Sequence, residues 1–559
     1  MYKRIKISSA TRIPPRGRAT HEARSRARTC DHAAPARPSR CSALDTSAGD
    51  GDWSRLERFL YLGTDAGAYH AAPRELALED ARVVTRCLGA DGLRTIDRIV
   101  AASSSGRAPK NDPAIFSLAV AAKLGDEPAR RAAYAALPRV CRIGSQLMQF
   151  AGYAQQFGGW GRGMRNAIGA WFNARPASDL ALQLAMYRAR DGWTNRDLLR
   201  LAHPRAASPS HDRLFAWAVR GELPAGAVED PACDLIVGLD ELDRTEDANA
   251  AAAIVRSRRI PAECVPAPHL SRAAVWDALL DTLPMAALIR SLPSMTRAGL
   301  LAAGTPPTRH VVARLRDRAQ LASSALHPLA WLAALVTYRS GRGPRGQGAW
   351  LPVASIVDAL EDAFYESLAF APRSDGRTLI ALDVSGSMAS GSVGGVPNLS
   401  PRLASAAMAL VSAATERATT VVAFTSAANG FGGQWGGGDS AISPIDVSRG
   451  ARLDDLVGEI GKLPMGGTDC ALPMQWAQEH RVDVDTFVIY TDNETWIGHV
   501  HPVQALRAYR DARAIPAKLV VVGMTSTGFS IADPDDTGML DVVGFDPSTP
   551  PVIADFARS

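Results

Sequence analysis

The sequence has few cysteines and no long apolar stretch, and each shortage excludes a class of protein. Its seven cysteines are scattered over 559 residues without a CxxC pair, which disfavours a zinc ribbon, a thioredoxin-type site and a disulfide-stapled domain. No apolar run approaches the ~20 residues that cross a bilayer, and no apolar segment of a Sec-type signal lies near the N-terminus. We therefore expect a protein of the reducing cytoplasm.

Signatures of common enzyme classes are also missing. The sequence has no Walker loop, no HExxH string and no ordered Ser-His-Asp set. The acidic string DPDD at 533–536 fits turn chemistry better than a two-metal nuclease centre, which would need a denser carboxylate cluster. We therefore expect a binding protein rather than an enzyme.

Positive charge is concentrated in two segments. The formal net charge of the whole chain is +5, whereas residues 1–50 and residues 139–205 each carry +7. The rest of the chain is consequently acidic. A strongly basic segment inside an acidic body indicates an anionic partner more clearly than the total charge does.

The sequence pattern divides the chain into three regions. Residues 1–52 are rich in Arg, Ser, Pro and Ala and lack periodic apolar positions, which predicts a basic, disordered tail, with a transit peptide as the alternative. Residues 53–371 repeat apolar residues at three- and four-residue spacing, which predicts serial helical hairpins stacked as a solenoid. Residues 375–559 alternate β-branched runs with helices, which predicts a doubly wound, mostly parallel α/β sheet.

Oxygen-bearing side chains follow the ends of two predicted strands, where open parallel sheets bind their ligands, and a loop that opens a helix adds a third group. They come from LDVSGSM (382–388), GGTD (466–469) and YTDNE (490–494), and the candidate metal-binding residues are Asp383, Ser385, Ser387, Thr468 and Asp492. Three hydroxyls with two carboxylates suit Mg²⁺ or another hard divalent cation that keeps a position open for an anionic ligand. Helix capping would explain the first string alone, but the three strings in order favour a metal site.

The basic segment 139–205 uses arginine as its only cation and interleaves it with aromatic residues. Guanidinium groups bind phosphates and aromatic faces stack on bases, so this composition suits single-stranded RNA. The candidate RNA-binding residues are Arg142, Arg162, Arg165, Arg188, Arg196 and Arg200, with Lys110 a weaker candidate. The interleaved aromatic residues are Tyr153, Phe157, Trp160, Trp171, Phe172, Tyr187 and Trp193. Core packing is the stronger alternative for the aromatic residues, and a merely solvated face is an equal alternative for the arginines.

Strings along most of the chain resemble the TROVE domain of the Ro autoantigen family. They include RLERFLYLGTDAGAYH (55–70), GWGRGMRNAIGAWFNAR (159–175), DGWTNRDLLRLAHP (191–204) and HPLAWLAALVTYRSGRG (327–343). The three metal-site strings resemble the metal-ion-dependent adhesion site of a von Willebrand factor A domain. The resemblance runs from about Trp53 to the C-terminus and keeps the family's domain order.

This resemblance implies both architecture and function. In the Ro family, HEAT-like α-helical repeats form a ring, and a Rossmann-like von Willebrand factor A domain sits where its ends meet. The inner wall takes single-stranded 3′ ends of misfolded or unprocessed RNA, the outer surface binds Y RNA, and bacterial relatives work with 3′-to-5′ exoribonucleases in RNA degradation and ribosomal RNA maturation. Ser385, Ser387 and Thr468 would bind the ion, with the two aspartates acting partly through water. We accordingly expect a monomeric, non-catalytic ring that binds Y-like and misfolded RNA.

Three features depart from the family pattern. The first 50 residues do not resemble the usual start, and Asn195 stands where relatives tend to have His, which predicts a weaker phosphate contact. The string NGFGGQWGGG (429–438) predicts a flexible loop near the metal site.

A second function remains open on the sequence alone. The adhesion-site motif also fits a metal-dependent protein-adhesion or assembly module whose RNA binding is incidental. RNA binding that survives loss of the metal would favour the first function over the second.

Overall fold

The computed structural model describes residues 50–558, apart from 65–67, 73–75, 344–347, 372–373, 395, 397, 426–440, 448–449, 464–465, 493–497, 527, 529–530, 534–535 and 548. The region 53–371 is helical, as predicted. Its helices are α1 Asp50–Leu62, α2 Arg82–Ala90, α3 Gly92–Ser104, α4 Asp112–Leu124, α5 Glu127–Val140, α6 Gly144–Gln156, α7 Arg162–Asn173, α8 Ala177–Met186, α9 Asn195–Ala202, α10 Pro209–Arg220, α11 Asp234–Asp243, α12 Ala248–Ser257, α13 Ala273–Leu279, α14 Met285–Arg297, α15 Pro306–Arg316, α16 Arg318–Ser324, α17 Pro328–Ser340 and α18 Ala354–Ser367. Three short strands lie between them, β1 Ala68–His70, β2 Ala189–Arg190 and β3 Trp193–Thr194.

The C-terminal region alternates strands and helices. Its elements are β4 Ser374–Asp383, α19 Pro401–Thr415, β5 Glu416–Phe424, β6 Ile442–Ile445, α20 Leu453–Ile460, α21 Leu472–Glu479, β7 Thr486–Thr491, α22 Pro502–Arg513, β8 Lys518–Gly523, β9 Met539–Val543 and α23 Thr549–Arg558. The strands form one sheet in the order β1-β9-β8-β7-β4-β5-β6, and every neighbouring pair is parallel except β5 and β6. Every residue of β7 is buried, as expected for a strand covered on both faces. The predicted doubly wound, mostly parallel sheet is confirmed.

The helical region has two cores that meet in α11. Ile236 and Val237 pack with the helices that precede them, whereas Leu239 and Leu242 pack with the later helices. The second core continues into one face of the sheet, and a separate cluster fills the other face. The later helices and the sheet therefore share one hydrophobic interior, which fixes their relative position.

The helical array is joined to the sheet region at both of its ends. At the N-terminal end, β1 pairs in parallel with β9, and the Arg58 guanidinium donates to the Met539 carbonyl at 2.5 Å. At the other end, α17 packs on α19, and the Leu453 N–H donates to the Tyr365 hydroxyl at 3.0 Å. The helical array therefore closes on the sheet region.

Some sequence predictions need correction or fall outside the described residues. Helix α1 begins at Asp50, so the last three residues of the predicted tail 1–52 belong to this helix. Residues 1–49 and the predicted flexible loop 429–438 lie outside the described residues. Within those that are described, the five cysteines are unpaired and buried. No single helix there is long and apolar enough to cross a membrane; α16 and α17 meet such a criterion only as a pair bent by 112°.

Candidate nucleic-acid interface and metal site

Helix α7 presents two of the predicted arginines to solvent. It begins after Gly161, and its buried face carries Met164, Ile168 and Trp171. Arg162 and Arg165 are one turn apart on the exposed face, and within the described chain neither side chain has an ion pair or a hydrogen bond. Their guanidinium donors are therefore available to an external anion.

Helix α9 presents a second pair. The Thr194 hydroxyl and the Asp197 carboxylate cap its N-terminus reciprocally, with the Asp197 N–H donating to Thr194 Oγ1 at 3.2 Å. Arg196 and Arg200 are exposed one turn apart and, like the α7 pair, have no side-chain partner in the part of the chain that the structure describes.

The two helices pack against each other, so the four arginines lie on neighbouring elements. Gly169 in α7 makes this packing close, because a Cβ at that position would lie 3.2 Å from Pro204 Cβ, just beyond α9. We call Arg162, Arg165, Arg196 and Arg200 the arginine cluster.

The other predicted RNA-binding residues have contacts within the chain. The Arg142 guanidinium donates to the Ser103 carbonyl at 3.0 Å and to its hydroxyl at 2.9 Å, so part of its hydrogen-bonding capacity links α3 to the start of α6. Arg188 is exposed, donates to the Ala185 carbonyl at 3.4 Å, and lines a cavity of about 240 Å³ that it shares with Arg196 and Asp240.

Lys110 lies where β1 meets the helices, and it precedes the arginine cluster in the sequence. Its ammonium donates to the carbonyls of His70, Ala71 and Ala72 at 3.0, 2.7 and 3.3 Å. Burial lowers the pKa of this amine. All three ammonium donors are used inside the chain, so the structure gives Lys110 a structural role rather than the predicted contact with phosphate.

Asn195 is buried at the start of α9. Its side-chain amide donates to the Tyr187 carbonyl at 2.8 Å, and this contact holds the end of α8 against α9. The Asn195 amide is therefore engaged inside the chain, and the weaker phosphate contact expected at this position stays a prediction.

The aromatic residues of the basic segment divide into core and surface members. Trp171 and Phe172 are fully buried, and the Trp171 indole donates to the Cys141 carbonyl at 2.5 Å. Trp160 and Trp193 are half-buried and contact each other, with ring centroids 5.6 Å apart. Trp171 and Phe172 are therefore core residues, whereas Trp160 and Trp193 form a partly exposed pair.

Four of the five predicted metal-binding residues converge at the end of β4. Asp383 is 1% exposed, and its Oδ2 accepts hydrogen bonds from Thr468 Oγ1 at 3.0 Å and Thr491 Oγ1 at 2.7 Å. The Ser385 N–H donates to Asp383 Oδ1 at 2.7 Å, and the Ser385 and Ser387 hydroxyl oxygens are 3.1 Å apart. Burial raises the pKa of Asp383, and hydrogen bonds from Ser385, Thr491 and Thr468 partly offset that rise.

Asp492 follows β7 directly. Its carbonyl accepts from the Thr525 N–H at 3.1 Å and hydroxyl at 2.8 Å, which ties the end of β7 to the loop after β8. Sequence reasoning missed Thr491, which stands beside Asp383 because Leu382 is paired with Tyr490 in the register of β4 and β7. The sequence gives no signal for this register, because strands buried on both faces lack the alternation that would fix it.

The donor set fits a hard divalent cation. Among the described residues, no group of three or more His, Cys, Asp and Glu side chains could hold a metal, so an ion here would depend on hydroxyl oxygens. A buried carboxylate is costly without a compensating positive charge, and the groups that the described structure shows donating to Asp383, from Ser385, Thr468 and Thr491, are all neutral. Asp383, Ser385, Ser387 and Thr468 would therefore suit Mg²⁺, and the ion would supply the missing charge.

Comparisons with known proteins cover both regions. The family profile described as the TROVE domain matches residues 46–221 and 257–337, and that of the Ro60 vWA domain matches residues 377–557. The RNA-binding protein RO60 of Deinococcus radiodurans is 40% identical over 509 residues, covering 91% of this chain and 93% of that protein. The RNA-binding protein RO60 of Caenorhabditis elegans is 31% identical over 581 residues, covering 90% of this chain and 88% of that protein.

A solved structure agrees with these sequence relatives. The crystal structure of the Deinococcus radiodurans Ro (RSR) protein matches with a TM-score of 0.83 at 39% identity, and the match covers 91% of this chain and 99% of that one. The resemblance predicted from the sequence is thus confirmed. Because the similarity extends over both regions in the same order, the chain belongs to the Ro60 family of TROVE-domain proteins.

Proposed function

We propose that this protein binds RNA through the arginine cluster and has no catalytic activity. The observation that carries the proposal is the presence of four exposed arginines on two packed helices, without an ion-pair partner in the described chain. Arginine side chains that pair with no carboxylate keep their donors for phosphate. The names of the relatives, which are RNA-binding proteins, support the same conclusion.

The RNA class follows from the family and from the chemistry of the cluster. We propose Y-like small RNA and the single-stranded 3′ ends of misfolded or unprocessed RNA as ligands, in RNA quality control, degradation and ribosomal RNA maturation with a 3′-to-5′ exoribonuclease. The protein would act as a monomeric ring in the cytoplasm. Phosphate contacts carry no base code, so binding by the cluster alone would be tolerant of sequence.

Neutralising the cluster tests this proposal. We expect the double variant Arg162→Gln, Arg165→Gln to bind a single-stranded RNA at least about 10-fold more weakly than the parent at low salt, because two charge-assisted contacts are lost. Fluorescence anisotropy with a labelled oligonucleotide measures the affinity, and the melting temperature shows whether the variant is folded.

A matched control separates a local effect from a change in net charge. Arg256 and Arg316 are exposed helix residues that pair with Asp277 and Asp362. The variant Arg256→Gln, Arg316→Gln removes the same charge and should keep RNA affinity within about 2-fold of the parent. An equal loss in both double variants would contradict a specific role for the cluster.

A metal-dependent adhesion module remains a second candidate, favoured by the hydroxyl-lined carboxylate at Asp383. We propose Mg²⁺ as the ion at this site. The alternative predicts partner binding that requires Mg²⁺ and is lost in Asp383→Asn. RNA binding that persists in EDTA and in that variant would favour the arginine cluster as the main functional surface.

A further inference from the structure

An open surface cavity of about 600 Å³ adjoins the arginine cluster. Trp160 and Trp193 line it with their rings, and Gln155, Asp197 and Leu201 complete its wall. It lies between the end of α6, the β2–β3 hairpin and α9. The cavity therefore combines an aromatic wall with polar groups at its edge.

The local backbone fixes the aromatic wall. The Lys123 ammonium donates to the Gly159 carbonyl at 2.6 Å just before Trp160, and the Trp160 indole N–H donates to Gln155 Oε1 at 3.4 Å. Asp191 and Gly192 both have positive φ, at 50° and 79°, and form the tight turn that aims Trp193 back at α6.

The two indoles form one surface rather than a slot. Their centroids are 5.6 Å apart and their planes are inclined by 37°, which is direct ring contact. A planar ligand would therefore stack on the outer side of the pair. Both indoles are half-buried, so each keeps part of its surface accessible.

Asp197 supplies a hydrogen-bond acceptor at the edge of this surface. Its Oδ2 accepts from the Thr194 N–H at 3.0 Å and the Thr194 hydroxyl at 2.5 Å. Its Oδ1 accepts no hydrogen bond from any residue that the structure describes, although Asp197 lines the cavity. An acceptor in this position suits a ligand whose edge carries N–H donors.

Charge around the cavity selects the ligand class. Arg162 begins α7 two residues after Trp160, and Arg200 is one turn beyond Asp197 on α9. These guanidinium groups disfavour a cation, which an aromatic wall with one carboxylate would otherwise suit. They favour a planar group attached to phosphates, and an unpaired nucleobase in an RNA strand has this chemistry.

We propose that the cavity takes one unpaired nucleobase, with guanine preferred, stacked on the Trp160–Trp193 pair and hydrogen-bonded to Asp197. Guanine carries the N1–H and N2–H₂ donors side by side, so a carboxylate acceptor distinguishes it from bases with fewer donors. The inference rests on the proposed RNA binding and adds base recognition to an interface that otherwise contacts phosphates. It makes Asp197 a residue that sets specificity.

The test compares unstructured oligonucleotides that differ at one central base. We expect the parent protein to bind the guanosine-containing strand about 5- to 100-fold more tightly than the strand with inosine, which lacks only the 2-amino group. Asp197→Asn should abolish this preference, since a carboxamide presents a donor as well as an acceptor, while the base-independent affinity remains. Equal affinity for guanosine and inosine in the parent would overturn the inference.

Stacking has a separate readout. A 2-aminopurine at the same central position should lose fluorescence on binding to the parent and keep it on binding to Trp160→Leu, whose folding is checked by its melting temperature. Unquenched 2-aminopurine in the parent complex would overturn the stacking claim, and so would tight binding of a quaternary ammonium compound in the cavity. A parent protein that binds no RNA would instead contradict the proposed function, so the two failures are distinguishable.

Discussion

Arg162 and Arg165 are exposed on α7, whereas the Lys110 ammonium is half-buried and donates to three carbonyls. All three were predicted as RNA-binding cations, and only their surroundings separate a phosphate-binding cation from a structural one. The same holds for Trp171 and Trp160, since one is fully buried and the other lines an open cavity.

Asp541 provides a prediction at the residue scale. It is 1% exposed in β9, where its Oδ2 accepts from the N–H groups of Ile531 and Ala532. Burial raises its pKa to about 6, and these hydrogen bonds and the charge of Arg58 only partly oppose the rise. The folded protein therefore holds a proton that the unfolded chain releases at lower pH, so this group's contribution to stability falls as the pH rises from about 4 to about 6.

The variant Asp541→Asn keeps an acceptor for both N–H groups but does not titrate. We expect it to be more stable than the parent at pH 7.5, by up to about 3 kcal/mol, with a much smaller difference at pH 4.5. Melting temperatures of both proteins across this range measure the effect. A difference that does not vary with pH would contradict the account of this carboxyl group.

His327 predicts the opposite pH dependence. It caps the N-terminus of α17, where its Nδ1 accepts from the Leu329 N–H at 3.2 Å, and burial lowers its pKa to about 4. Its contribution to stability is complete above the ordinary histidine pKa of about 6.5 and is lost as the pH falls towards 4.

The variant His327→Asn should keep the cap without this titration. Its melting temperature relative to the parent should rise as the pH is lowered from 7.5 to 5, because the unfolded parent takes up a proton at this histidine that the folded parent does not. If the two proteins lose stability in parallel over this range, the histidine does not act as described.

At the scale of elements, β1 is one of the strands that sequence reasoning missed, together with β2, β3, β6 and β9. It has only three residues within a helical region, and its partner β9 lies more than 460 positions later in the chain. Short apolar strings have no periodicity that separates a strand from a loop. The strand forms through tertiary contacts. It pairs with β9 at the edge of the sheet, and the Lys110 ammonium binds the carbonyls of His70, Ala71 and Ala72.

Removing that ammonium tests the role of Lys110 in this element. We expect Lys110→Met to destabilise the protein by about 1–3 kcal/mol, because three carbonyls lose a charged donor. The amides of Tyr69, His70 and Ala71 should exchange hydrogen faster in mass spectrometry. Lys123→Met, which removes a similar contact elsewhere, should leave exchange in β1 unchanged; equal protection of β1 in Lys110→Met and the parent would contradict this role.

The strands of the sheet show what sequence can supply. Continuous β-branched runs predicted β4, β5, β7 and β8, and the motif strings, two after strands and one in a loop, predicted that Asp383 and Thr468 share a site. The contact between Thr491 and Asp383 needed the register, which alternation cannot give in strands buried on both faces. The arginines of α7 and α9 were predicted by type, but only helix packing shows that they form one cluster.

At the scale of the whole molecule, contacts at both ends of the helical array join it to the sheet region. Arg107 forms two hydrogen bonds with the Asp555 carboxylate, at 2.8 and 2.9 Å, and Arg452 pairs with Glu361 at the other end. The later helices share a core with one face of the sheet. Helices α7 and α9, which carry the arginine cluster, contribute to the earlier apolar core, and among the described residues this core includes none from the sheet.

The dependence of RNA affinity on salt tests the central claim most directly. If four arginines neutralise four phosphates of a single strand, the logarithm of the association constant should fall with the logarithm of salt concentration at a slope of about −3. The variant Arg162→Gln, Arg165→Gln should reduce the slope to about half. A slope near zero for the parent, or an unchanged slope in the variant, would contradict an interface built on the arginine cluster.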